Sequence, residues 1–389
     1  MGPQYSDFDR FAMTKALALA ERGLTTTDPN PRVGCVIAKD GRVIGEGWHE
    51  RAGGPHAEIA ALRSVNESTT GATAYVTLEP CSHQGRTPPC VDSLIAGRFA
   101  RVVVATQDPN PLVNGTGVQA LRRAGIVVDS GLMEAEAIEL NAGFIKRMKR
   151  ARPLVRVKLA MSLDGRTALA NGVSKWITGE AARKDVHYWR ARSSAVMTGI
   201  GTVLTDDPRL DVRLRDVDRQ PLRIVMDSQL RTPPTAKLLT VPGNVLIFAT
   251  AGEGINERAE ALVARGAQVE LVPEKAQLPG SPDSSGIHAP VLGSPDSRLD
   301  VDAVLSRLAE LEVNDVLVES GPTLASNLLR RSLVDELLLY IAPTLLGPTA
   351  RALVDMPELQ DLSSSPRFAI FDVQQFEPDL RLRLRRTRS

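Results

Sequence analysis

The first hydrophobic pattern of the chain is helical. The stretch SDFDRFAMTKALALAERG begins at Ser6 and places Phe11, Ala12 and Leu17 at the spacing of one helix face. Ser6 or Asp7 can cap the first turn, and the glycine at the end can stop the helix. The sequence therefore predicts a helix that faces the core at the start of the first domain.

Strand patterns follow this helix. The stretch VGCVIAKDGRVIGEGW holds two β-branched runs around an Asp-Gly pair, which is a strong hairpin signal. Helix and strand patterns then alternate in the order HAEIAALRSV, ATAYVTLEP, SLIAGRFA, RVVVAT, VQALRRAG and IVVDSG. This alternation predicts an α/β domain over residues 1–150.

A basic segment, KRMKRARP at 146–153, interrupts the alternation, and its proline favours a helix boundary. We place the domain boundary there. We interpret the segment as a solvated helix end and linker, because no aromatic residues interleave with its charges as they do in many nucleic-acid sites.

Residues 151–389 resume the alternation and predict a second α/β domain. Its strand patterns include PLVRVKLAMSLDG, SAVMTGIGTV and ELLLYIAP, and its helix patterns include ERAEALVARG and LASNLLRRSL. Residues 273–300 differ, because they are rich in Pro, Ser and Gly and contain GSPDS twice. We interpret them as a flexible surface insertion.

Composition and charge narrow the function. The 389 residues are 43% hydrophobic with a formal net charge of +1, which suits two ordinary domains and gives no field that favours nucleic acid or an anionic membrane. Three cysteines are too few for a disulfide framework and favour a reducing compartment. The start, MGPQYSDFDR, lacks the apolar core of a secretory signal, and no run reaches the length of a membrane span. We expect a cytoplasmic protein that acts on small molecules.

The first domain contains the pattern of a zinc deaminase. His56 and Glu58 form H-x-E at a predicted helix start, and a Pro-Cys pair ends at Cys81 after a strand. His56, Cys81 and Cys90 would hold the ion and leave one tetrahedral position for water. Glu58 would transfer protons as general acid/base. Each residue alone has an ordinary structural explanation, but the joint pattern favours zinc; Cys35, inside a hairpin strand, is expected in the core.

The two cysteines are separated by eight residues, SHQGRTPP, whereas such enzymes usually have two. A glycine permits the turn, and two prolines stiffen the return. His83, Arg86 and Thr87 in this loop are donors suited to an anionic group such as phosphate. The sequence therefore predicts a free nucleotide as the substrate.

Four motifs in order resemble the N-terminal domain of the bifunctional riboflavin-biosynthesis deaminase/reductase family: DPNPRVG, GEGWHERAGGPHAE, TLEPCSHQGRTPPC and QDPNPLVNGTG. The resemblance implies a cytidine-deaminase-like three-layer α/β/α domain. It also implies hydrolytic deamination of 2,5-diamino-6-(5-phosphoribosylamino)pyrimidin-4-one. The substrate contacts implied at matching positions are Asn30, His49, His83, Arg86, Thr87 and Asn110. Asn30 and Asn110 also fit Asn-Pro turns, which would explain them without a substrate.

The second domain has no G-x-G-x-x-G between a strand and a helix, since GIGTVL at 199–204 lacks the third glycine. ESGPTLASNLL is more informative. A strand that ends at Glu319, followed by Gly-Pro at a helix start, can present backbone N–H groups to a phosphate. An ordinary strand-to-helix turn explains this motif equally well.

A wider set of motifs resembles the reductase half of the same family: KLAMSLDGRTA, SKWITG, HYWRARSSAVMTGIGTVLTDDPRLDVR, RIVMDS, ESGPTLASNLL and LLLYIAPTLLG. That half is similar to dihydrofolate reductase in fold, so the resemblance implies a dihydrofolate-reductase-like α/β domain that uses NADPH. It implies hydride transfer that opens the ribosyl side chain to ribityl. The resemblance covers nearly the whole chain, but the insertion at 273–300 has no match.

The reductase resemblance implies two sets of contacts. Those with NADPH are Ala160, Trp176, Thr202, Asp206, Ser228, Gly321, Pro322, Thr323, Leu324, Ala325, Ser326 and Asn327. Those with the substrate are Ser174, Arg190, Leu210, Arg213 and Glu319, in which the arginines would read phosphate. Lys158 would be a polar partner of the opening sugar, although a strand lysine that reaches solvent explains it nearly as well.

Two other hypotheses are open. A nucleic-acid base deaminase with an accessory domain predicts a basic surface and C-x-x-C spacing, and the sequence offers neither. A non-catalytic zinc-binding regulator would not need Glu58. The favoured hypothesis is a bifunctional deaminase and reductase with one Zn²⁺ per chain and NADPH. We expect a homo-oligomer that acts on a small phosphorylated pyrimidine nucleotide, without a nucleic-acid or membrane partner.

Overall fold

The computed structural model describes residues 4–82, 89–111, 113–217, 219–274, 299–356, 358 and 360–387. The chain divides into two compact units, Met1–Pro153 (unit 1) and Leu154–Ser389 (unit 2). Within the described ranges, no helix has the length and apolar character that a membrane span requires. The insertion expected at 273–300 falls almost wholly in 275–298, outside the described residues.

Unit 1 alternates helices and strands, as predicted. Its helices are α1 (Asp7–Glu21), α2 (Ala57–Ser64), α3 (Cys90–Ala96), α4 (Thr116–Arg123), α5 (Glu134–Leu140) and α6 (Ala142–Arg150). Its strands are β1 (Gly34–Lys39), β2 (Arg42–Trp48), β3 (Thr73–Leu78), β4 (Arg101–Thr106) and β5 (Val127–Ser130). In this described part the sheet order is β2-β1-β3-β4-β5. β1 is antiparallel to β2 and β3, whereas β3, β4 and β5 run parallel.

The sheet of unit 1 lies between two helix layers. Cys35 on β1 packs with α2, α3 and α4, whereas its neighbour Val36 packs with α1 and α5. A glycine permits the close approach of α1, because a Cβ on Gly34 would lie 1.9 Å from the Ala16 carbonyl oxygen. The three-layer α/β/α prediction is confirmed, and Cys35 is a core residue, as expected.

Helix α1 begins with a capping box. The Ser6 hydroxyl accepts from the Asp9 backbone N–H at 3.1 Å, and the Asp9 carboxylate accepts from the Ser6 N–H at 2.8 Å. Phe11 is 56% exposed, so its predicted place on the core face was wrong. The buried stripe runs instead through Met13 and Ala16, and Phe11 lies about 200° around the helix from Met13, on the other face.

Unit 2 also alternates helices and strands. Its helices are α7 (Glu180–Arg192), α8 (Ile200–Asp206), α9 (Ile255–Val263), α10 (Val301–Glu310) and α11 (Pro322–Arg330). Its strands are β6 (Leu154–Ser162), β7 (Arg166–Ala168), β8 (Ala195–Gly199), β9 (Leu222–Met226), β10 (Val245–Ala249), β11 (Ala267–Leu271), β12 (Asp315–Glu319), β13 (Glu336–Ala342), β14 (Arg351–Ala352), β15 (Phe368–Phe376) and β16 (Asp379–Arg386).

The main sheet of unit 2, over its described residues, has the order β11-β10-β9-β8-β12-β6-β13-β16-β15, and β7 pairs separately with β14. The strands from β11 to β13 are parallel, and the β15-β16 hairpin continues the sheet in antiparallel fashion. Helices α7, α8 and α9 cover one face, and α10 and α11 cover the other. The carboxyl ends of β9, β8, β12 and β6 therefore lie along one edge, where ligands bind in sheets of this kind.

One strand prediction in unit 2 was wrong in its second half. The sequence SAVMTGIGTV was expected to be a strand, but β8 ends at Gly199 and α8 begins at Ile200. Gly199 is the N-cap of α8 in extended conformation, so the chain turns into a helix directly at the edge of the sheet. Five residues are enough for β8 to pair with both of its neighbours.

Candidate active sites

The three expected metal ligands of unit 1 lie together. His56 is the N-cap residue of α2, Cys81 follows β3, and Cys90 is the first residue of α3. His56 Nδ1 lies 3.2 Å from Cys90 Sγ and 3.4 Å from Cys81 Sγ, and the three donor atoms lie within 4.8 Å of one another. The Cys90 N–H donates to Cys81 Sγ at 3.3 Å, and the Val91 N–H donates to the Cys81 carbonyl at 3.3 Å. The long spacing thus brings both thiols back to one point.

The charges of this cluster favour a thiolate beside a carboxyl that can exchange protons. Hydrogen bonds from Cys90 and His56 hold the pKa of the Cys81 thiol well below its usual value. Glu58 lies in the first turn of α2 and is 3% exposed. Burial raises the pKa of Glu58 to about 6. A carboxyl with such a pKa beside metal-binding side chains suits proton transfer near neutral pH.

Asn30 and His49 lie beside His56. His49 is 3% exposed, and its ring packs edge-on to the His56 ring with a centroid distance of 5.7 Å. His49 Nδ1 lies 2.9 Å from the Pro55 carbonyl oxygen, and Nε2 lies 3.0 Å from Asn30 Nδ2. Because the carbonyl needs a donor, we assign the proton to Nδ1, so that Nε2 accepts from the Asn30 amide. Burial lowers the pKa of His49, in keeping with a neutral ring.

Asn110 lies in the loop that follows β4. Its backbone N–H donates to Asp108 Oδ1 at 2.8 Å, and its carbonyl accepts from the Val113 N–H at 2.8 Å. The loop joins the segment after Cys81 through the Ser82 and Thr116 hydroxyls, which lie 2.5 Å apart. The other expected contacts of this domain, His83, Arg86 and Thr87, lie in 83–88, outside the described residues.

In unit 2, the expected substrate residues Arg190 and Glu319 form a bidentate ion pair. Arg190 Nε and Nη2 donate to the two Glu319 carboxylate oxygens at 2.5 and 2.9 Å, and each side chain is 12% exposed. Lys158 is the register partner of Glu319 across β6 and β12, and its Nζ lies 5.8 Å from the centre of the Tyr340 ring. Burial lowers the pKa of Lys158, although Glu319 opposes this. Lys158, Arg190 and Glu319 thus converge in one place.

Leu210 and Arg213 adjoin this ion pair. Leu210 is 2% exposed with a positive φ of 54°, and the Asp211 carbonyl next to it accepts from Arg190 Nη1 at 3.0 Å. Arg213 Nη1 donates to the Asp211 carboxylate at 2.6 Å. His187, one helix turn before Arg190, accepts from the Arg213 backbone N–H at 3.4 Å. Burial, Arg190 and Arg213 lower the pKa of His187 to about 4. The imidazole is therefore neutral near pH 7 and lies beside cationic side chains.

Ser174 and Trp176 lie in the loop before α7. Ser174 is half-buried, whereas Trp176 is 70% exposed. The Arg183 guanidinium lies 4.5 Å from the centre of the Trp176 ring. Arg183 is on α7 two turns before Arg190, so the loop borders the helix face that carries the ion pair.

Several expected cofactor residues meet where α8 and α11 begin. The Gly321 N–H donates to Thr202 Oγ1 at 3.2 Å, and a Cβ on Gly199 would lie 3.9 Å from Leu324. The parallel neighbours β8 and β12 bring these two helix starts together. Pro322 occupies the first turn of α11, as the sequence suggested. The turn therefore has the form of a phosphate-binding helix start.

The remaining cofactor residues differ in how accessible they are. Ala325 and Ser326 are fully buried, and Ser326 Oγ accepts from the Asp355 N–H at 2.7 Å, so their side chains face the core. Asp206 is the exposed last residue of α8, and Ser228 is buried two residues after the end of β9. The rest are exposed or half-buried: Ala160 on β6, and Thr323 and Asn327 on α11.

Sequence reasoning did not single out two residues of these sites, Glu79 and His187. Glu79 is 3% exposed and directly precedes the Pro-Cys pair, so an acid at the end of a buried strand was the available signal. His187 lies three residues before Arg190, and this helical spacing was enough to place both side chains on one face.

Comparison with protein families gives two matches in order along the chain. Residues 6–106 match the cytidine and deoxycytidylate deaminase zinc-binding region, and residues 153–382 match the RibD C-terminal domain. The riboflavin biosynthesis protein RibD of Escherichia coli K12 is 47% identical over 97% of this chain and 99% of its own length. RibD of Haemophilus influenzae is 41% identical over 97% of this chain and 98% of its own length.

Solved structures agree with these matches. Acinetobacter baumannii RibD superposes with a TM-score of 0.86 at 44% identity, over 98% of this chain and 99% of that one. A Thermotoga maritima diaminohydroxyphosphoribosylaminopyrimidine deaminase/5-amino-6-(5-phosphoribosylamino)uracil reductase gives a TM-score of 0.83 at 34% identity, with the same coverage. The chain thus belongs to the RibD family, the bifunctional enzymes of riboflavin biosynthesis that join a deaminase domain to a reductase domain.

Proposed function

We propose that this enzyme deaminates 2,5-diamino-6-(5-phosphoribosylamino)pyrimidin-4-one in unit 1 and reduces the ribosyl side chain of the product to ribityl in unit 2. We assign the deaminase to residues 1–150 and the reductase to 151–389. The observation that carries the proposal is the cluster of His56, Cys81 and Cys90, whose donor atoms lie within 4.8 Å of one another beside the buried carboxyl of Glu58.

The three donors fit one zinc ion. One imidazole nitrogen and two sulfurs match the ligand types of catalytic zinc sites, which keep the fourth position open. With bonds of about 2.0 Å to nitrogen and 2.3 Å to sulfur, a tetrahedral ion separates such donors by roughly 3.5 Å. The nitrogen-to-sulfur distances of 3.2 and 3.4 Å are close to that separation. When bound, zinc supplies a Lewis acid that lowers the pKa of water toward neutrality.

The residues of unit 1 have distinct roles in the proposed deamination. Glu58 takes one proton from the attacking water and delivers it to the ring nitrogen; it then takes the remaining hydroxyl proton as the C=O bond forms and delivers it to the amino group, which leaves as ammonia. Asn30 and His49 hold the pyrimidine edge, because they are hydrogen-bonded to each other next to His56. Asn110 contacts the substrate from the loop after β4. The phosphate contacts proposed for His83, Arg86 and Thr87 rest on the family resemblance alone.

The proposed reduction uses NADPH, which supplies the hydride when bound. The start of α11 and Thr202 hold a phosphate of the cofactor, because Gly321 and Thr202 are already hydrogen-bonded to each other at this edge. Arg190 and Arg213 hold the substrate phosphate, and Lys158 faces the sugar that opens. Four cationic side chains lie here beside two carboxylates: Lys158, Arg190, Arg209 and Arg213 against Glu319 and Asp211. The excess of two positive charges suits a phosphate of charge about −1.5 to −2.

The zinc-loaded enzyme should be incubated with the diaminopyrimidine nucleotide, with and without NADPH. We expect ammonia release in both reactions and NADPH oxidation in the second. Ammonia without NADPH oxidation would remove the reductase half of the proposal. Absence of both signals would remove the deaminase half, and NADPH oxidation with the deaminated nucleotide would then test the reductase half.

Replacement of Glu58 by Gln tests the role of its carboxyl. We expect deamination to fall by roughly 10²- to 10⁴-fold. Reduction of the deaminated nucleotide by the same protein should stay unchanged, which shows that unit 2 is intact, and a zinc content of one per chain should show the same for unit 1. Glu136→Gln is the matched control, because it removes an exposed acid from the first turn of α5. Full deamination by Glu58→Gln would contradict the proposed role of its carboxyl in proton transfer.

A further inference from the structure

Glu79 is a buried acid that the proposed deamination does not use. It follows the last residue of β3, lies two residues before Cys81, and is 3% exposed. Its Oε2 accepts from the backbone N–H groups of Asp108 and Gly115 at 3.2 and 2.9 Å, and its Oε1 accepts from the Val118 N–H at 3.1 Å. One carboxylate thus gathers three backbone donors from the segment 108–118, which lies about thirty residues further along the chain.

These donors include the start of α4. Gly115 is the N-cap residue of this helix, has a φ of 89°, and supplies no side-chain cap. Glu79 provides the missing acceptor from another part of the chain, and its negative charge lies where the helix dipole favours it. A Cβ on Gly117 would lie 2.0 Å from the Pro80 carbonyl oxygen, so the glycine permits α4 to approach the residue between Glu79 and Cys81.

The same carboxylate links two parts of the proposed site. On one side, the chain continues through Pro80 to the zinc ligand Cys81. On the other, the Asp108 N–H is held by Glu79, and the Asp108 side chain in turn accepts from the Asn110 N–H at 2.8 Å. The position of Asn110 relative to the metal ligands therefore depends on the Glu79 carboxylate.

We propose that Glu79 is a positioning residue of the deaminase, which fixes the backbone at Asp108 and the start of α4 against the segment that carries Cys81. This inference rests on the proposed function of unit 1. Glu79 would touch neither substrate nor metal, and it would act on substrate binding through Asn110. A carboxylate is required, because three N–H donors share its two oxygens and a glutamine would turn an NH₂ group toward at least one of them.

The test is Glu79→Gln, assayed for deamination, zinc content and NADPH-dependent reduction. We expect KM for the diaminopyrimidine nucleotide to rise by roughly 10- to 100-fold with a smaller change in kcat, since a misplaced contact residue impairs binding of substrate. Zinc should stay at one per chain, and the reductase activity should be unchanged. The exposed-acid variant Glu136→Gln should leave KM unchanged. An unaltered KM, or loss of zinc with no change in the KM of the zinc-loaded fraction, would overturn the proposal.

A double-mutant cycle with Asn110→Ala separates positioning from general weakening of the domain. If Glu79 acts through Asn110, the double variant should have a KM close to that of the worse single variant, whereas multiplication of the two effects would overturn the proposal. If Glu79→Gln does not accumulate as a folded chain, Gly117→Ala strains the same contact from the α4 side. A raised KM in folded Gly117→Ala supports the proposal, and an unchanged KM overturns it. Absence of deamination in the unaltered enzyme would instead refute the proposed function itself.

Discussion

Replacement of Glu336 by Gln is expected to destabilise unit 2 by about 3 kcal/mol at neutral pH. Glu336 begins β13 and is 2% exposed. Its carboxylate accepts from Arg156 at 2.8 Å and from Arg385 at 2.9 Å, and Arg383 lies 3.5 Å away. Burial alone would raise the pKa of Glu336, but the arginines outweigh it and lower the pKa to about 2.

The magnitude follows from this pKa. An ordinary glutamate has a pKa of about 4.3, and each unit of difference between folded and unfolded states corresponds to roughly 1.4 kcal/mol. A decrease to about 2 therefore corresponds to about 3 kcal/mol of stability. Because the folded pKa is the lower one, this stabilisation is present above about pH 4.3 and is lost as the pH falls toward 2. The difference between the unaltered enzyme and Glu336→Gln should shrink over the same interval.

Urea unfolding followed by the fluorescence of Trp189 measures this difference. The Trp189 ring is 2% exposed and lies 4.6 Å from the Arg156 guanidinium and 4.9 Å from that of Arg383, so it reports on this network. Replacement of Trp48 and Trp176 by Phe makes Trp189 the single tryptophan. Glu310→Gln is the control, because its carboxylate pairs with Arg307 on the exposed surface of α10 and should contribute much less. An unchanged urea midpoint at pH 7, or a loss that persists undiminished at pH 2, would refute the reasoning.

Three further variants test other parts of the molecule. In unit 1, burial alone would raise the pKa of Asp9, but hydrogen bonds from Tyr75, Ser6 and Arg101 lower it to about 2. Asp9→Asn should therefore lower the thermal midpoint of unit 1 above about pH 4 and have little effect near pH 2. Circular dichroism measures this midpoint. The pKa of His187 is lowered to about 4, so the stability of unit 2 should fall as the pH drops from about 6.5 toward 4, and urea titrations of His187→Gln should lack this fall. Arg190→Lys should raise KM for the deaminated nucleotide by roughly tenfold in an NADPH-oxidation assay, because lysine cannot form the fork that Arg190 makes with Glu319; a KM equal to that of the unaltered enzyme would exclude this role.

The cluster of His56, Cys81 and Cys90 beside Glu58 could be predicted from the sequence in large part because its signals are local. H-x-E at a helix start fixes His56 and Glu58 relative to each other, and a Pro-Cys pair at a strand end places Cys81 at the edge of the sheet. The return of Cys90 to that edge could not be read from spacing. It depends on hydrogen bonds from the N–H groups of Cys90 and Val91 to Cys81, which close the loop at its base.

The β15-β16 hairpin shows why pattern alone was insufficient in unit 2. The sequence of β16, DLRLRLRR, alternates leucine and arginine with the period of a strand, and this period would suggest that the leucines face the core. The structure buries Arg381 instead and leaves Leu380 39% exposed, because the arginine side faces Asp185 and the Trp189 ring. Charged and aromatic side chains on other strands and helices determine which side of β16 faces inward, and the sequence of β16 alone does not reveal them.

The pairing of Arg190 with Glu319 has the same origin, since 129 residues separate them. Family motifs indicated each residue separately, but their contact arises because α7 packs on the sheet face that includes β12. Neighbouring parallel strands bring their ends, which are far apart in the sequence, to one edge of the sheet. β3 and β4 do the same for Cys81 and the loop that carries Asn110. Arg156 and Glu336 lie near the amino-terminal ends of β6 and β13, where they are buried in the network that stabilises unit 2. It follows that Glu336→Gln, once folded, should keep the KM of the reductase, whereas Arg190→Lys should change KM.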